Sequence, residues 1–181
     1  MKTKYALFIC LFLVSFINGQ DRFLTKNGLV TFFSESPMEN IEAKNNQVLS
    51  IVDASTSKMA ISILMKSFMF EKALMQEHFN ENYVESDKFP KAIFKGEILN
   101  FNTITSLESN VSVKGKLTIH GKTKDVIIKT VAKKTADSIL ITGVFYIDLE
   151  DFGVEIPSVV KNNIAKKIKV SFNFNHKPYK K

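Results

Sequence analysis

One pattern limits this chain's folds more than any other: apolar and polar residues alternate with period two along most of its length. Val111, Val113, Leu117 and Ile119 alternate with Ser112, Lys114, Lys116 and Thr118. Ile168, Val170, Phe172 and Phe174 alternate with Lys169, Ser171, Asn173 and Asn175. Successive side chains of a strand point to opposite faces, so each run buries one face and wets the other. Ile139, Ile141, Phe145 and Ile147 share a face with Gly143 between them. Ala92, Phe94 and Ile98 share another with Gly96 as the small position, and Met59, Ile61, Ile63 and Met65 a third.

Turn residues punctuate these runs. Asn27-Gly28 is a hairpin signal, and Asn45-Asn46 suits the positive φ of a turn. His120-Gly121-Lys122 and Ala136-Asp137-Ser138 separate two further pairs. The pattern predicts strands at 22–26, 29–35, 47–54, 58–67, 91–101, 110–120, 123–133 and 138–149, with a ninth at 167–175. Short connections favour antiparallel neighbours, hence a meander. Phe70 to Phe79 lacks proline, glycine and β-branched residues and sets Phe70, Leu74, Met75, His78 and Phe79 at helical spacing, which predicts a short helix. A second helical turn is expected over Ser158 to Lys166, after Pro157. Such a sheet folds into a sandwich or closes into a barrel, and closure removes the exposed edges. The fold class expected is therefore all-β: an elongated antiparallel barrel of about eight strands with one or two short helices. Eight strands enclose room for side chains or one small ligand.

The first residues stand apart from this pattern. Lys2 and Lys4 precede the apolar run Ala6 to Ile17, which Asn18, Gly19 and Gln20 break. That is the form of a secretory signal peptide over 1–19, with cleavage after Gly19. The run is too short for a membrane span, which needs ~20 apolar residues. Residues 20–181 then form a single domain, expected to be secreted or periplasmic. The sole cysteine, Cys10, lies in the leader. Its removal excludes disulfides, cysteine nucleophiles and thiolate metal sites. The formal charge of +7 falls to +5 without Lys2 and Lys4. Arg22 is the only arginine, whereas nucleic-acid readers lean on arginine forks. No nucleic acid is expected as a partner; contact with an anionic membrane surface suits the lysines better.

Three spaced motifs carry a resemblance. His78-Phe79 is followed by Glu85-Ser86-Asp87 and Phe89-Pro90-Lys91-Ala92-Ile93-Phe94; then come Gly115, Leu117-Thr118-Ile119-His120-Gly121 and Thr123-Lys124; last is Asp151-Phe152-Gly153. Taken together and in this order, they resemble the YceI-like family over essentially the whole chain after the leader. The resemblance implies an elongated, lipocalin-like barrel and the binding of polyisoprenoid chains or related amphiphiles. Ser67-Phe68-Met69-Phe70 departs from the family pattern, being more hydrophobic than the short polar turn often found there.

No catalytic device accompanies these motifs. The three histidines, His78, His120 and His176, have no HxxxH or HExxH spacing, and a zinc site needs three or four nearby ligands. His120 is expected to make a structural hydrogen bond at its turn, His78 to cap the helix or meet a ligand head group, and His176 to sit solvated in a basic tail. Asp148, Glu150, Asp151 and Glu155 read as a surface loop. With 16 phenylalanines, six methionines and no tryptophan, the interior can adapt to a chain-like ligand. The ligand-binding residues expected are Phe68, Phe70, Leu74, Met75, His78, Phe79, Phe94 and Ile98. The expected partner is an isoprenoid-type lipid or quinone, held without any metal or other cofactor by a monomer or homodimer. Two alternatives stay open: an enzyme acting on a lipidic substrate in the same cavity, and an envelope protein whose barrel is filled by its own side chains.

Overall fold

The computed structural model describes residues 22–37, 39–157 and 164–179. Within them, eight long strands close a barrel. They are β1 (Arg22–Ser34), β2 (Ile41–Asp53), β3 (Lys58–Leu64), β5 (Lys91–Leu99), β6 (Ser109–Ile119), β7 (Lys122–Lys134), β8 (Ile139–Asp148) and β9 (Lys167–Pro178). A two-residue strand, β4 (Met69–Phe70), and one short helix, α1 (Ala73–His78), lie between β3 and β5. Every ladder is antiparallel, and β1 closes the circle by pairing with both β2 and β9. The expected barrel and its sequential order are thus observed. The second helical turn expected over 158–166 falls largely outside the described residues, as does the leader.

Two turn signals became bulges. β1 runs straight through Asn27-Gly28, and β2 through Asn45-Asn46. The β1–β2 register slips by one residue on each strand, between Thr25 and Gly28 and again between Gly28 and Val30. A bulge draws on the same tolerance for irregular backbone that a turn does, so the composition could not separate them. Asn45 is fully buried: its side-chain oxygen accepts from the Gln47 amide at 2.9 Å, and its side-chain nitrogen donates to the Leu64 carbonyl at 2.9 Å. Gly28 leaves room for Phe174, whose ring lies 2.6 Å from where a Cβ would be. The predicted strands 22–26 and 29–35 are consequently one strand, and β2 begins six residues before the predicted start at 47.

Two ladders are incomplete. β3 pairs with β2 only from Leu49 to Asp53, and β4 pairs with Ala43 and Lys44 farther along β2. β8 pairs with β7 only from Ile139 to Gly143, leaving Lys122–Lys129 and Val144–Asp148 without partners across that boundary. The predicted helix 70–79 is shorter than expected, since Phe70 belongs to β4 and α1 ends at His78. A wide turn over Phe79–Tyr83 follows, in which the Val84 amide donates to the Phe79 carbonyl at 3.0 Å.

The two ends of the barrel differ. The end holding the start of β1 is solid: Val48, Val52, Ile139, Ile141 and Phe174 are almost fully buried there. Each such side chain contributes about 1.5–3 kcal/mol of transfer free energy. Between β5 and β6, Gly96 faces Gly115, and the Phe94 ring tip lies 2.7 Å from a Cβ built on either. That ring covers the gap left by the two missing side chains. The opposite end, which β4, α1 and the wide turn approach, is less full.

Candidate functional site

Beneath the β4–α1 segment lies a cavity of about 150 Å³. Its wall takes Phe70, Met75, Phe79, Tyr83 and Val84 from that segment, and Ile63, Leu117, Phe145, Ile147 and Val170 from the inward faces of the strands. Among the described residues, Ser34 and Tyr83 are the only lining residues with polar side chains. A second chamber of about 60 Å³ lies deeper, bordered by Met59, Phe94, Ile128, Phe172 and Phe174. The two share Val30, Ile63, Leu117, Phe145 and Val170 as lining, so they are consecutive parts of one apolar interior. An apolar space of this size stays dry and takes up apolar guests.

A cluster of four phenylalanines roofs the upper chamber. Phe79 lies 5.4 Å from Phe32, 5.7 Å from Phe68 and 5.0 Å from Phe70, centroid to centroid. The hydrophobic departure at Ser67 to Phe70 therefore has a packing explanation: Phe68 and Phe70 supply half of the cluster. Gln76 anchors this segment by accepting from the Phe70 amide at 3.3 Å, and Asn80 donates to the Gln76 carbonyl at 2.9 Å.

The expected ligand contacts separate into groups. Phe68, Phe70, Met75 and Phe79 line the upper chamber, and Phe94 the lower one. Ile98 is buried in the core but lines neither chamber. Leu74 is 62% exposed and His78 faces solvent, so neither reaches the cavity. Helical spacing marked the correct segment, but its short helix turns only Met75 inward. Tyr83, Ile63, Leu117, Phe145, Ile147 and Val170 were not among the expected contacts. Five of these six lie on inward strand faces, but alternation cannot tell which inward residues border a void. Burial pushes the Tyr83 hydroxyl above its ordinary range.

The motif residues gather beside the cavity, in a clamp. His120 Nε2 lies 2.7 Å from a Glu85 carboxylate oxygen, and Nδ1 lies 3.3 Å from the Phe152 carbonyl oxygen. Phe89 packs edge-on against the His120 ring at 4.5 Å. Lys124 donates to Asp151 at 2.8 Å. Glu85 and His120 both adopt positive φ, at 43° and 49°, which non-glycine residues seldom do. Their mutual hydrogen bond holds this strained arrangement and draws the Glu85 carboxyl below its usual range. All three motifs thus meet at one point, joining the end of the lid segment to the β6–β7 and β8–β9 connections. The expectation of a structural hydrogen bond for His120 is met.

His176 contradicts its expectation: it is fully buried, not solvated. Its Nδ1–H donates to the Ile139 carbonyl at 2.9 Å, and Nε2 accepts from the Ser50 hydroxyl at 2.8 Å. Both contacts suit a neutral ring, and burial pushes its pKa down. The signal was present, because His176 continues the alternation of Phe172 and Phe174. The acidic cluster is a surface loop, where Asp148 and Asp151 pair with Lys167 and Lys124. Among the described residues, no three His, Cys, Asp or Glu side chains stand close enough to hold a metal ion, and no helix is long and apolar enough to cross a membrane.

A closed barrel with a roofed, apolar interior defines a class of proteins built around an internal cavity. The comparisons place it more narrowly: the YceI-like domain model matches residues 26–176, so the chain belongs to that family. Among solved structures, a polyisoprenoid-binding domain from Saccharophagus degradans implicated in plant cell wall breakdown superposes with a TM-score of 0.77 at 12% identity, over 88% of this chain and 99% of that one. BcnA from Burkholderia cenocepacia gives 0.68 at 18% identity, over 82% and 95%. A YceI protein from Campylobacter jejuni gives 0.56 at 14% identity, over 98% and 94%. At these identities the likeness is one of fold. No curated protein sequence matches the chain.

Proposed function

We propose that this protein binds an isoprenoid-type lipid or quinone in its barrel and carries or sequesters it outside the cytoplasm, without chemically altering it. The observation that carries the reading is the apolar interior, in which only Ser34 and Tyr83 among the described residues interrupt the lining. The family and the polyisoprenoid-binding neighbour support it. A charged head group would find no counterion among the described lining residues, so the buried part of the ligand is its tail. Each buried carbon group supplies ~0.8 kcal/mol. A micromolar complex is worth about 8 kcal/mol after association costs, so more than roughly two isoprene units must touch the wall. The chambers are smaller than typical ligand pockets of ~300–1,000 Å³. Entry of a chain therefore displaces Met75, on a six-residue helix with no buried residue, and the phenylalanine cluster, whose Phe70 and Phe79 lie just before and just after that helix.

The experiment is uptake of a fluorescent prenol from detergent micelles by the wild type and by Ala92→Phe, which places a ring into the upper chamber from its wall. Saturable uptake that this variant loses while staying folded is expected. No uptake by the wild type, or equal uptake by the folded variant, would overturn the reading.

A further inference from the structure

We infer that the open seam between β7 and β8 is a docking face for an anionic lipid bilayer, and that the ligand passes between barrel and membrane through it. The inference rests on the proposed lipid-binding reading but concerns a surface that reading does not use.

The seam begins where pairing stops, beyond Thr130 and Gly143. Continued past that point, the register would set Ile127 opposite Tyr146. Both are outward-facing and exposed, at 67% and 63%, and Val144 beside Tyr146 is 50% exposed. Away from the seam, Ile127 pairs with Lys114 on β6, and Tyr146 pairs with Lys169 on β9. One row across the outer wall thus reads lysine, isoleucine, seam, tyrosine, lysine. Lys114 and Lys169 are exposed and make no ion pair among the described residues.

The exposed apolar row flanked by Lys114 and Lys169 favours an anionic bilayer as the occupant; the carboxylates beside the seam, Asp125 and Asp148, are paired with Lys116 and Lys167, and Glu97 lies opposite Lys114 on β5. A barrel wall facing only water gains nothing from exposed isoleucine, valine and tyrosine side by side. An interfacial bilayer region accepts all three, with the tyrosine at head-group level. Flanking ammonium groups reach anionic phosphates while their stems cover apolar surface. The interior lies directly behind this row: Phe145, next to Val144 and Tyr146, lines both chambers, and Ile128, next to Ile127, lines the lower one. Unpaired strand edges can part without breaking ladder hydrogen bonds, so opening the wall beyond Thr130 and Gly143 breaks no β7–β8 ladder bond.

The test uses vesicles of phosphatidylcholine with or without phosphatidylglycerol. Sedimentation should show the wild type binding only the anionic vesicles, with binding lost in high salt. Lys114→Glu/Lys169→Glu and, separately, Ile127→Ser/Tyr146→Ser should each weaken it roughly tenfold or more. The same variants should slow transfer of a fluorescent prenol from anionic vesicles to a similar degree, while equilibrium uptake from detergent stays at the wild-type level. Two differently placed variants keep the test decisive if one fails to fold. Wild-type transfer and binding in either folded variant would overturn the inference. Absence of uptake from detergent by the wild type would instead defeat the lipid-binding reading, and sedimentation would still judge the docking face.

Discussion

Removing the Phe79 ring is the most informative single perturbation of the roof over the cavity. A fully buried phenylalanine cut to alanine costs about 3–5 kcal/mol. Phe79 is partly exposed and borders the cavity, so a figure at or below the lower end of that range applies. Its three aromatic contacts give an independent bound. At ~0.5–1.5 kcal/mol for each pair they sum to a similar amount. We expect Phe79→Ala to lose about 2 kcal/mol, or about 4–8 °C in Tm for a domain of this size. Leu74→Ala on the neighbouring helix α1 is the control, because its side chain is exposed and should change stability by under ~0.5 kcal/mol. Thermal and urea unfolding of ligand-free protein measure both. Equal effects of the two substitutions would refute the placement of Phe79 in a cohesive roof, as would a Phe79→Ala loss below about 0.5 kcal/mol.

Two further outcomes follow from buried and strained positions. Because burial holds the His176 pKa below its ordinary 6.5, the unfolded chain binds a proton there before the native state does. Its contribution is complete above pH 6.5 and is lost as pH falls toward the native pKa, at up to ~1.4 kcal/mol per pH unit; urea midpoints from pH 7.5 to 5 should show this slope, and His176→Gln should flatten it. Gly121→Ala should cost about 1–3 kcal/mol, because φ is +72° and the new Cβ would sit 2.6 Å from the Phe89 ring; Phe89→Leu in the same background should recover part of that loss in thermal unfolding, since it relieves the clash but not the backbone strain.

The fold was legible because alternation is a direct record of which face each strand buries. From β5 onward, observed strand limits lie within three residues of the predicted ones. The discrepancies arose where one residue type serves two backbone roles. Asn27-Gly28 and Asn45-Asn46 have the composition of turns, yet long-range pairing of β1 with β2 uses them as bulges. The site was less legible, because a cavity is set by what fails to fill a space. Leu117 and Val113 both lie on the inward face of β6, yet only Leu117 borders the upper chamber. Likewise, the motifs that carried the family resemblance locate the Glu85–His120 clamp, while the cavity wall beside it is assembled from ordinary aliphatic and aromatic residues.

The central claim is that the barrel interior holds a long apolar chain. Its most direct test is mass spectrometry of a solvent extract of the protein purified, without detergent, from the organism that makes it. The account predicts an isoprenoid-type lipid or quinone at near-equimolar ratio, reduced in Ala92→Phe. An extract free of such lipid from folded wild-type protein, together with no uptake of added prenol, would contradict it.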